Sequence, residues 1–285
     1  MSEPILRLYP GAPEPVALEG AYLAHGLHRA SAAAPMVYTN FIASLDGRIA
    51  LVDPGTRRHR VPAAIANPRD WRLFQELAAQ AHVLVTTARY FRDLTQGQAQ
   101  DSLPVSTRSP YADLLTWRRK EGLEPQPAVA VVSASLDLPI PPELDLQQRA
   151  FYVLTGEDAD PDRVTALEQL GLRVLFAGNG HRVDGRRLVQ VLAERGYHSL
   201  YAIAGPQLLH TLVSAGVLDR LYLTHAHRLL GGVGYDTILE GSTLDPAVDL
   251  RLEALYYDSH APAGAGQSFG AYACCPRRGH RPGAD

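Results

Sequence analysis

The chain has only two cysteines among its 285 residues, and they are neighbours, Cys274 and Cys275. This arrangement excludes a disulfide framework and a cysteine-rich metal site, and it favours an intracellular, cytoplasmic protein. No stretch approaches the roughly 20 apolar residues that span a bilayer, and the N-terminus lacks the apolar run of a signal peptide. We therefore expect no membrane partner.

The sequence also lacks an excess of charge of either sign, with 27 basic and 30 acidic side chains and a net charge of -3. This balance gives no reason to expect a nucleic-acid partner. The histidines are scattered without metal-binding spacing, and although His225 and His227 share one strand face, we predict no metal site. The G-x-G-x-x-G fingerprint is absent too, so a standard Rossmann motif is not available for binding a dinucleotide.

What is present is an alternation of strands and helices. Asn67-Pro68 and Asp160-Pro161 are typical helix starts, and Gly196 and Gly216 are typical residues beyond a helix end. Strands are predicted at 36–44, 83–87, 128–132, 151–155 and 173–177. This order predicts an α/β protein with a mostly parallel central sheet covered on both faces, which makes three layers.

The two ends of the chain differ from this middle part. Residues 1–35 are rich in Pro, Ala and Gly and are predicted to be an extension packed on the core, followed by one domain over 36–275. Strands at 250–258 and 269–275 predict an antiparallel C-terminal hairpin at the sheet edge. The basic residues 276–285 are predicted to be a flexible tail. Within the domain, Ser109-Pro110 is predicted to cap a short helix that ends at Gly122.

The segment from Leu200 to His210 combines a strand, the pair Gly205-Pro206 and a helix. Glycine lets a ligand approach the backbone, and proline suits the first helical position. The next amides, from Gln207 onward, would point out of the helix N-terminus towards an anion such as a pyrophosphate. An ordinary tight turn has the same sequence pattern, so the motif alone leaves both interpretations open.

Three motifs occur in a familiar order: Ser44-Leu-Asp-Gly47 after an opening strand, Ala204-Gly-Pro-Gln-Leu208, and Arg228-Leu-Leu-Gly231. From about Met36 to Cys275 the chain resembles the reductase domain of riboflavin biosynthesis, the C-terminal domain of the bifunctional deaminase-reductase. The resemblance implies a dihydrofolate reductase-like fold, NADPH as cofactor, a homodimer, and reduction of a C=N bond in a pyrimidine- or pterin-like small molecule. Because relatives with Gly-Gly at the turn have a cis peptide, we expect a cis Gly205–Pro206 bond.

The ends of the strands predict where the ligands lie, because open α/β sheets bind ligands beyond the carboxyl ends of their strands. Arg89 or Arg92 is expected to pair with a 2′-phosphate, which would select NADPH. The predicted cofactor contacts are Ala43, Thr86, Thr87, Ala88, Arg89, Tyr90, Gly178, Gly205, Pro206, Gln207, Leu208, Leu209, Leu230 and Gly231. The predicted substrate contacts are Asn40, Ser44, Asp46 and Ile203.

Asp46 is the predicted catalytic residue. At the mouth of the crevice its carboxylate would hydrogen-bond the edge of a ring or help hold a proton on a C=N bond. Its position before Gly47 also fits an ordinary turn aspartate. The family resemblance favours the catalytic interpretation.

Two departures from the family affect the expected substrate. Ile203 stands where the family has a glutamate that contacts the substrate, and only Arg92-Asp-Leu-Thr95 remains of a run whose arginine helps to hold the substrate phosphate. No deaminase zinc motif is present. One alternative is the authentic riboflavin-pathway 5-amino-6-ribosylaminopyrimidine 5′-phosphate reductase, with Arg57, Arg58 or Arg108 at the phosphate. The other is a nucleotide-binding pseudoenzyme without turnover.

Overall fold

The fold was analysed in a computed structural model that describes residues 2–53, 55, 57–95, 105, 109–140, 149–203, 205–261 and 264–275. Its helices are α1 (Pro68–Ala79), α2 (Ala88–Thr95), α3 (Asp113–Lys120), α4 (Pro161–Gln169), α5 (Gly185–Ala193) and α6 (Pro206–Ser214). Its strands are β1 (Ile5–Tyr9), β2 (Glu14–Val16), β3 (Met36–Ser44), β4 (Ala50–Val52), β5 (His59–Arg60), β6 (Val83–Thr87), β7 (Ala128–Val132), β8 (Phe151–Thr155), β9 (Arg173–Phe176), β10 (Ser199–Ala202), β11 (Arg220–Ala226), β12 (Tyr235–Asp236), β13 (Leu250–Asp258) and β14 (Gln267–Cys274).

One large sheet organises the molecule, with the strand order β2-β1-β13-β14-β11-β3-β10-β6-β7-β8-β9. The strands from β11 to β9 in this order run parallel, whereas β14, β13, β1 and β2 are joined by antiparallel pairings. The predicted fold class, a mostly parallel sheet with an antiparallel C-terminal hairpin, is therefore confirmed.

Two apolar clusters separate the layers. Helices α1 to α4 and the N-terminal segment pack on one face of the sheet, around buried residues such as Leu77, Leu84 and Val129. Helices α5 and α6 cover the other face around Leu188, Leu200 and Leu212. Strands whose side chains are buried on both faces consist almost wholly of apolar residues, as in Val83–Thr87 and Ala128–Val132.

The N-terminal segment extends the sheet and does not merely lie on it. Leu6 of β1 pairs with Tyr257 of β13, and β2 continues the edge. Two single-turn 3-10 helices, Leu23–His25 and Leu27–Arg29, then lead the chain to β3. The tail predicted at 276–285 lies outside the described residues. In the part of the chain that the structure describes, no helix is long and apolar enough to cross a membrane.

Two local predictions are wrong. Ser109-Pro110 does not cap α3, because the helix begins at Asp113 after Ala112, which makes no side-chain cap hydrogen bond; the predicted end at Gly122 is confirmed by its φ of 72°. The bond between Gly205 and Pro206 is trans, since the cis peptides of the described ranges precede Pro10, Pro110 and Pro246. The trans form is the ordinary preference of an X–Pro bond, and here the chain passes directly from extended Gly205 into α6.

Candidate active site

A cavity of about 740 Å³ opens at the carboxyl ends of β3, β6 and β10. The first turns of α1 form one wall, and residues of the small sheet β12-β4-β5 form another. The described residues that line the cavity are Asn40, Phe41, Ile42, Ile49, Ala50, His59, Val61, Ala66, Asn67, Pro68, Asp70, Trp71, Phe74, Thr86, Thr87, Arg89, Tyr111, Ile203, Gly205, Pro206 and Asp236. The cavity therefore lies where an open α/β sheet places its ligands.

The α1 wall follows from the start of that helix. The Asn67 side chain accepts hydrogen bonds from the amides of Arg69 (3.1 Å) and Asp70 (3.0 Å), and Pro68 occupies the first turn. Positions 67, 70, 71 and 74 share one helix face by their spacing, and all four line the cavity. The rings of Trp71 and Phe74 stack with centroids 4.5 Å apart, which gives the wall a flat aromatic surface.

Asp70 is the buried carboxyl of this wall. Its exposed fraction is 9%, and burial raises its pKa to about 6, although a hydrogen bond with the Thr224 side chain opposes the rise. A carboxyl group that is desolvated in a cleft retains its proton up to higher pH than an exposed one. Perturbed groups of this kind concentrate at functional sites.

Polar groups at the strand ends face the same space. The Thr86 side chain is fully buried, lines the cavity, and its hydroxyl has no hydrogen-bond partner among the described residues. Asn40 accepts a hydrogen bond from the Tyr201 hydroxyl, which fixes the orientation of its amide. Ile203, whose amide donates to the Val85 carbonyl, supplies an apolar contact beside them. This hydroxyl therefore has unused hydrogen-bonding capacity, which a ligand group or a water molecule can complete.

The turn after β10 reaches the cavity as predicted from its sequence. Gly205 and Pro206 line it, and a Cβ at Gly205 would have no neighbour within 4 Å. The amides of Leu208 and Leu209, however, donate to the Gly205 carbonyl at 3.1 and 3.4 Å. These two amides are therefore already used within the turn, whereas the sequence analysis assigned them to a pyrophosphate.

Asp46 lies outside the cavity lining and holds two loops together. Its carboxylate accepts hydrogen bonds from the amides of Leu230 (3.1 Å) and Gly231 (2.8 Å) and pairs with Arg48 at 2.6 Å. The hydrogen bond from the Ser44 hydroxyl, followed by that from the Gly231 amide, lowers the pKa of Asp46 to about 2. Such a carboxylate stays ionised and is already satisfied, so these contacts favour a structural role over the predicted role in holding a proton.

The mouth of the cavity carries charged groups of both signs. His59 pairs with Asp236, and the Arg89 guanidinium donates to the His59 carbonyl at 3.2 Å. Burial, with the Asp236 charge next, raises the pKa of Glu240. Arg92 points elsewhere, because its guanidinium donates to the Asp137 carbonyl at 3.2 Å. Of the two arginines predicted for a 2′-phosphate, the structure brings only Arg89 to the cavity.

The remaining predicted contacts divide by location. Ser44 is fully buried, Ala43 and Ala88 are packed in the core, and Leu230 borders the loop that Asp46 holds. Gly178 follows β9, four strands away from β10, where the backbone of Arg182 and Val183 leaves no room for a Cβ. Gln207 is exposed in the first turn of α6, and the side chain of Tyr90 in α2 lies outside the described part of the chain. Apart from Tyr90, none of these residues lines the cavity.

The α1 wall and the pair His59–Asp236 were not predicted from the sequence. The Asn67 cap was predicted, and the residues that follow it carry a signal for the wall. Polar and aromatic side chains recur at helical spacing from the start of this helix, at Asn67, Asp70, Trp71 and Phe74. His59 and Asp236 carry no such signal, because they meet only through the pairing of β12 and β5 on either side of β4.

Comparisons with known proteins agree with this geometry. The family model described as the RibD C-terminal domain matches residues 35–259. The 2,5-diamino-6-ribosylamino-4(3H)-pyrimidinone 5′-phosphate reductase of Archaeoglobus fulgidus is 22% identical over 209 residues, covering 73% of this chain and 88% of that protein. The reductase of the same name from Methanothermobacter thermautotrophicus is 26% identical over 223 residues, covering 77% and 90%.

A solved structure shows the same fold. The pyrimidine reductase-like protein of Corynebacterium diphtheriae superposes with a TM-score of 0.63 at 22% identity, over 85% of this chain and 92% of that one. The family model covers most of the chain, and the two relatives named above are reductases. The predicted family is thus confirmed, and the chain is an oxidoreductase that belongs to the RibD C-terminal domain family.

Proposed function

We propose that the protein is an NADPH-dependent reductase of a phosphorylated ribosylaminopyrimidine, acting on a C=N bond of that substrate. The observation that carries the proposal is the cavity at the strand ends, which combines the stacked Trp71 and Phe74 with the unpartnered Thr86 hydroxyl. Flat aromatic walls suit a planar heterocycle, and a few converging polar groups orient it. The names of the archaeal relatives support a pyrimidine over a pterin.

The cavity also fits the cofactor that the family resemblance implies. Gly205 presents an open backbone surface, and Thr87 offers a hydroxyl group at the end of β6. NADPH would supply the hydride for the reduction. The protein would hold the ring of the substrate against the α1 wall, orient it through Asn40 and Thr86, and exclude water through Phe41 and Ile203.

The substrate phosphate requires a basic contact that the family's usual run no longer provides. Arg57 and Arg58 immediately precede His59, the first residue of β5, and His59 lines the cavity. Both arginines are therefore neighbours in sequence of a residue in the cavity wall. We assign the phosphate to this segment, as in the riboflavin-pathway alternative of the sequence analysis. Arg108, the third candidate, lies outside the described residues. The homodimer is likewise a proposal, to be tested by light scattering on the purified protein.

The test is an NADPH oxidation assay with three substrates. The ribosylaminopyrimidine phosphate named for the archaeal relatives, its deaminated 5-amino-uracil counterpart and a dihydropterin are each added to the protein with NADPH. Oxidation with either pyrimidine and formation of a ribityl product are expected. Oxidation with the pterin alone would overturn the pyrimidine assignment, and NADPH binding without oxidation by any substrate would favour the pseudoenzyme.

A further inference from the structure

The proposed reduction needs a proton as well as a hydride, and the choice of donor rests on the proposed function. Two carboxyl groups line the cavity in the described part of the chain, Asp70 and Asp236. The Asp236 carboxylate already has a partner, because it is paired with His59. Asp46 is the catalytic residue predicted from the sequence, but it lies outside the cavity lining. Its carboxylate is hydrogen-bonded to the amides of Leu230 and Gly231 and paired with Arg48. Of the two carboxyl groups in the lining, Asp70 is the one that makes no salt bridge among the described residues.

We propose that Asp70 is the proton donor of the reduction. The carbon of the substrate C=N bond accepts the hydride that NADPH supplies, and its two electrons form the new C–H bond. The π pair of the C=N bond forms an N–H bond with the proton of the Asp70 carboxyl group. NADPH becomes NADP⁺, and the Asp70 carboxylate regains a proton from water.

The position of Asp70 supports this role. Asp70 lines the cavity together with Trp71 and Phe74, and its amide is held by the Asn67 cap at 3.0 Å. Asn67 is itself linked to Gln267 at 2.8 Å, and Gln267 donates to Asp258 at 2.8 Å. Asp70 therefore belongs to a helix start that is hydrogen-bonded to β14 and, through Gln267, to β13. These contacts hold the turn that carries the carboxyl group in a fixed position, which proton transfer requires.

The surroundings of Asp70 keep the proton available. Thr224 of β11 hydrogen-bonds the carboxyl group, and the Asp70 charge helps to raise the pKa values of two buried phenols, Tyr22 and Tyr201. Arg69 on the same helix turn is paired with Asp258 at 2.7 Å, and Arg72 is paired with Glu76 at 2.8 Å. Neither arginine compensates an ionised Asp70. The pKa of about 6 lies close enough to neutral pH for the group to cycle during turnover.

The first experiment compares Asp70→Asn with the wild-type protein over a range of pH. In the wild type, kcat/KM is expected to fall as the pH rises above about 6, because the donor loses its proton. In Asp70→Asn this limb should vanish and kcat should drop by roughly 10²–10⁴-fold, the usual contribution of a positioned acid. Asp162→Asn is the matched control, since Asp162 is an exposed aspartate in the first turn of another proline-led helix, α4.

A second variant separates a chemical role from a structural one. Thr224→Val removes the hydrogen bond that lowers the pKa of Asp70, so the falling limb should move to higher pH. A protonated-carboxyl infrared band that titrates near the same pH, and is missing from Asp70→Asn, would identify the group without any substrate. The band itself is measured in the wild type, so a carboxyl group that titrates near pH 6 can be detected even if Thr224→Val folds poorly, and Asp70→Asn then assigns it.

The outcomes distinguish the two proposals. A wild-type protein that reduces the pyrimidine, together with an Asp70→Asn protein of equal activity and unchanged pH profile, would overturn the donor assignment alone. An infrared spectrum showing Asp70 ionised well below pH 6 would do the same. A wild-type protein that reduces no ribosylaminopyrimidine would overturn the proposed function and the donor role with it.

Discussion

Two aspartates beside the cavity have pKa values that move in opposite directions from the same ordinary value of 3.8. Hydrogen bonds from Ser44 and Gly231 lower that of Asp46 to about 2, whereas burial raises that of Asp70 to about 6. A difference of this kind separates a permanent anion from a group that can release a proton near neutrality. Environment thus assigns different roles to two side chains of identical chemistry.

The Asp46 carboxylate makes the stability of the protein depend on pH in the acid range. Because its pKa is lower in the folded chain than in the unfolded chain, its stabilisation is complete above pH 3.8 and is lost as the pH falls through about 2. We expect Asp46→Asn to abolish this part of the pH dependence, measured as the urea midpoint at a series of pH values. Asp249→Asn, which changes an exposed side chain, should leave it intact; identical curves for Asp46→Asn and the wild type would contradict the assignment.

Arg89 is expected to select the phosphorylated cofactor. Replacing it by glutamine removes the charge but keeps a hydrogen-bond donor, so the affinity for NADPH should fall by about 10- to 100-fold while that for NADH changes little. Fluorescence titration of both cofactors measures the difference. Arg92→Gln is the matched control, since that side chain is bonded to the Asp137 carbonyl. Equal losses for NADPH and NADH in Arg89→Gln would place the 2′-phosphate elsewhere.

Residue roles were the hardest feature to predict from the sequence. Ser44-Leu-Asp-Gly47 identified the family and the loop correctly, but it did not reveal that Asp46 faces the amides of a loop about 185 positions later. Asp70 carries no motif at all. Its chemistry arises from burial by segments that are distant in sequence, such as Thr224 and Tyr22. A single sequence contains no measure of that desolvation.

At the scale of elements, α5 and α6 show how closely two helices approach where a glycine permits it. A Cβ at Gly185 would lie 2.7 Å from the Ala215 Cβ and 2.9 Å from the Thr211 carbonyl oxygen. Gly205, at the start of α6, has a φ of -70° and open space around it. The two glycines therefore serve different purposes, one for packing and one for access.

These two glycines give a paired prediction. Gly185→Ala should lower the free energy of unfolding by roughly 1–3 kcal/mol, the usual effect of overpacking, with NADPH affinity nearly unchanged. Gly205→Ala should leave the unfolding free energy close to that of the wild type and weaken NADPH binding, because the methyl group enters the cavity. Denaturant unfolding of both variants measures the loss of stability expected for Gly185→Ala, and cofactor titration measures the loss of NADPH affinity expected for Gly205→Ala. A stable Gly185→Ala protein that binds NADPH poorly would contradict it.

Elements with strong local signals were predicted well. The capped helices α1 and α4 and the glycine-terminated helices α5 and α6 are confirmed near their predicted positions, as are the buried strands β6, β7 and β8. The short strands β4, β5 and β12 escaped prediction, because two or three residues carry no periodic pattern and form strands only through their partners. Helix α2 was missed because it follows β6 without a turn or a capping residue.

At the scale of the whole molecule, the N-terminal segment is part of the core. The carboxylate of Glu76, fully buried in α1, accepts hydrogen bonds from the amides of Gly20 (2.6 Å) and Tyr22 (3.0 Å). The Gln80 side chain likewise bonds the Leu27 amide and the Tyr22 carbonyl. The sequence predicted an extension packed on the core but not these contacts, because the partners lie about 55 residues away on a helix and more than 240 residues away on β13.

We expect a chain that begins at Met36 to lose solubility, although the family match begins at residue 35. Removal of residues 1–35 would deprive Glu76 and Gln80 of the hydrogen-bond partners that this segment provides, and it would expose the edge of β13 for pairing with other chains. Soluble yield and sedimentation measure the effect. Glu76→Gln provides a milder comparison, expected to be folded but less stable. A soluble monomeric protein from Met36 onward would contradict this account.

Helix α1 has two functions, because its first half lines the cavity and its C-terminal end binds the N-terminal segment. Asn67, Asp70, Trp71 and Phe74 face the cavity, while Glu76 and Gln80 hold the N-terminal segment. We therefore expect a ligand that fixes the first half of the helix to favour the docked state of the segment, and by reciprocity we expect the docked segment to favour the ligand. Residues 2–35, none of which lines the cavity, are then expected to contribute to affinity there, and the family-matched region alone should bind its ligands more weakly than the whole chain.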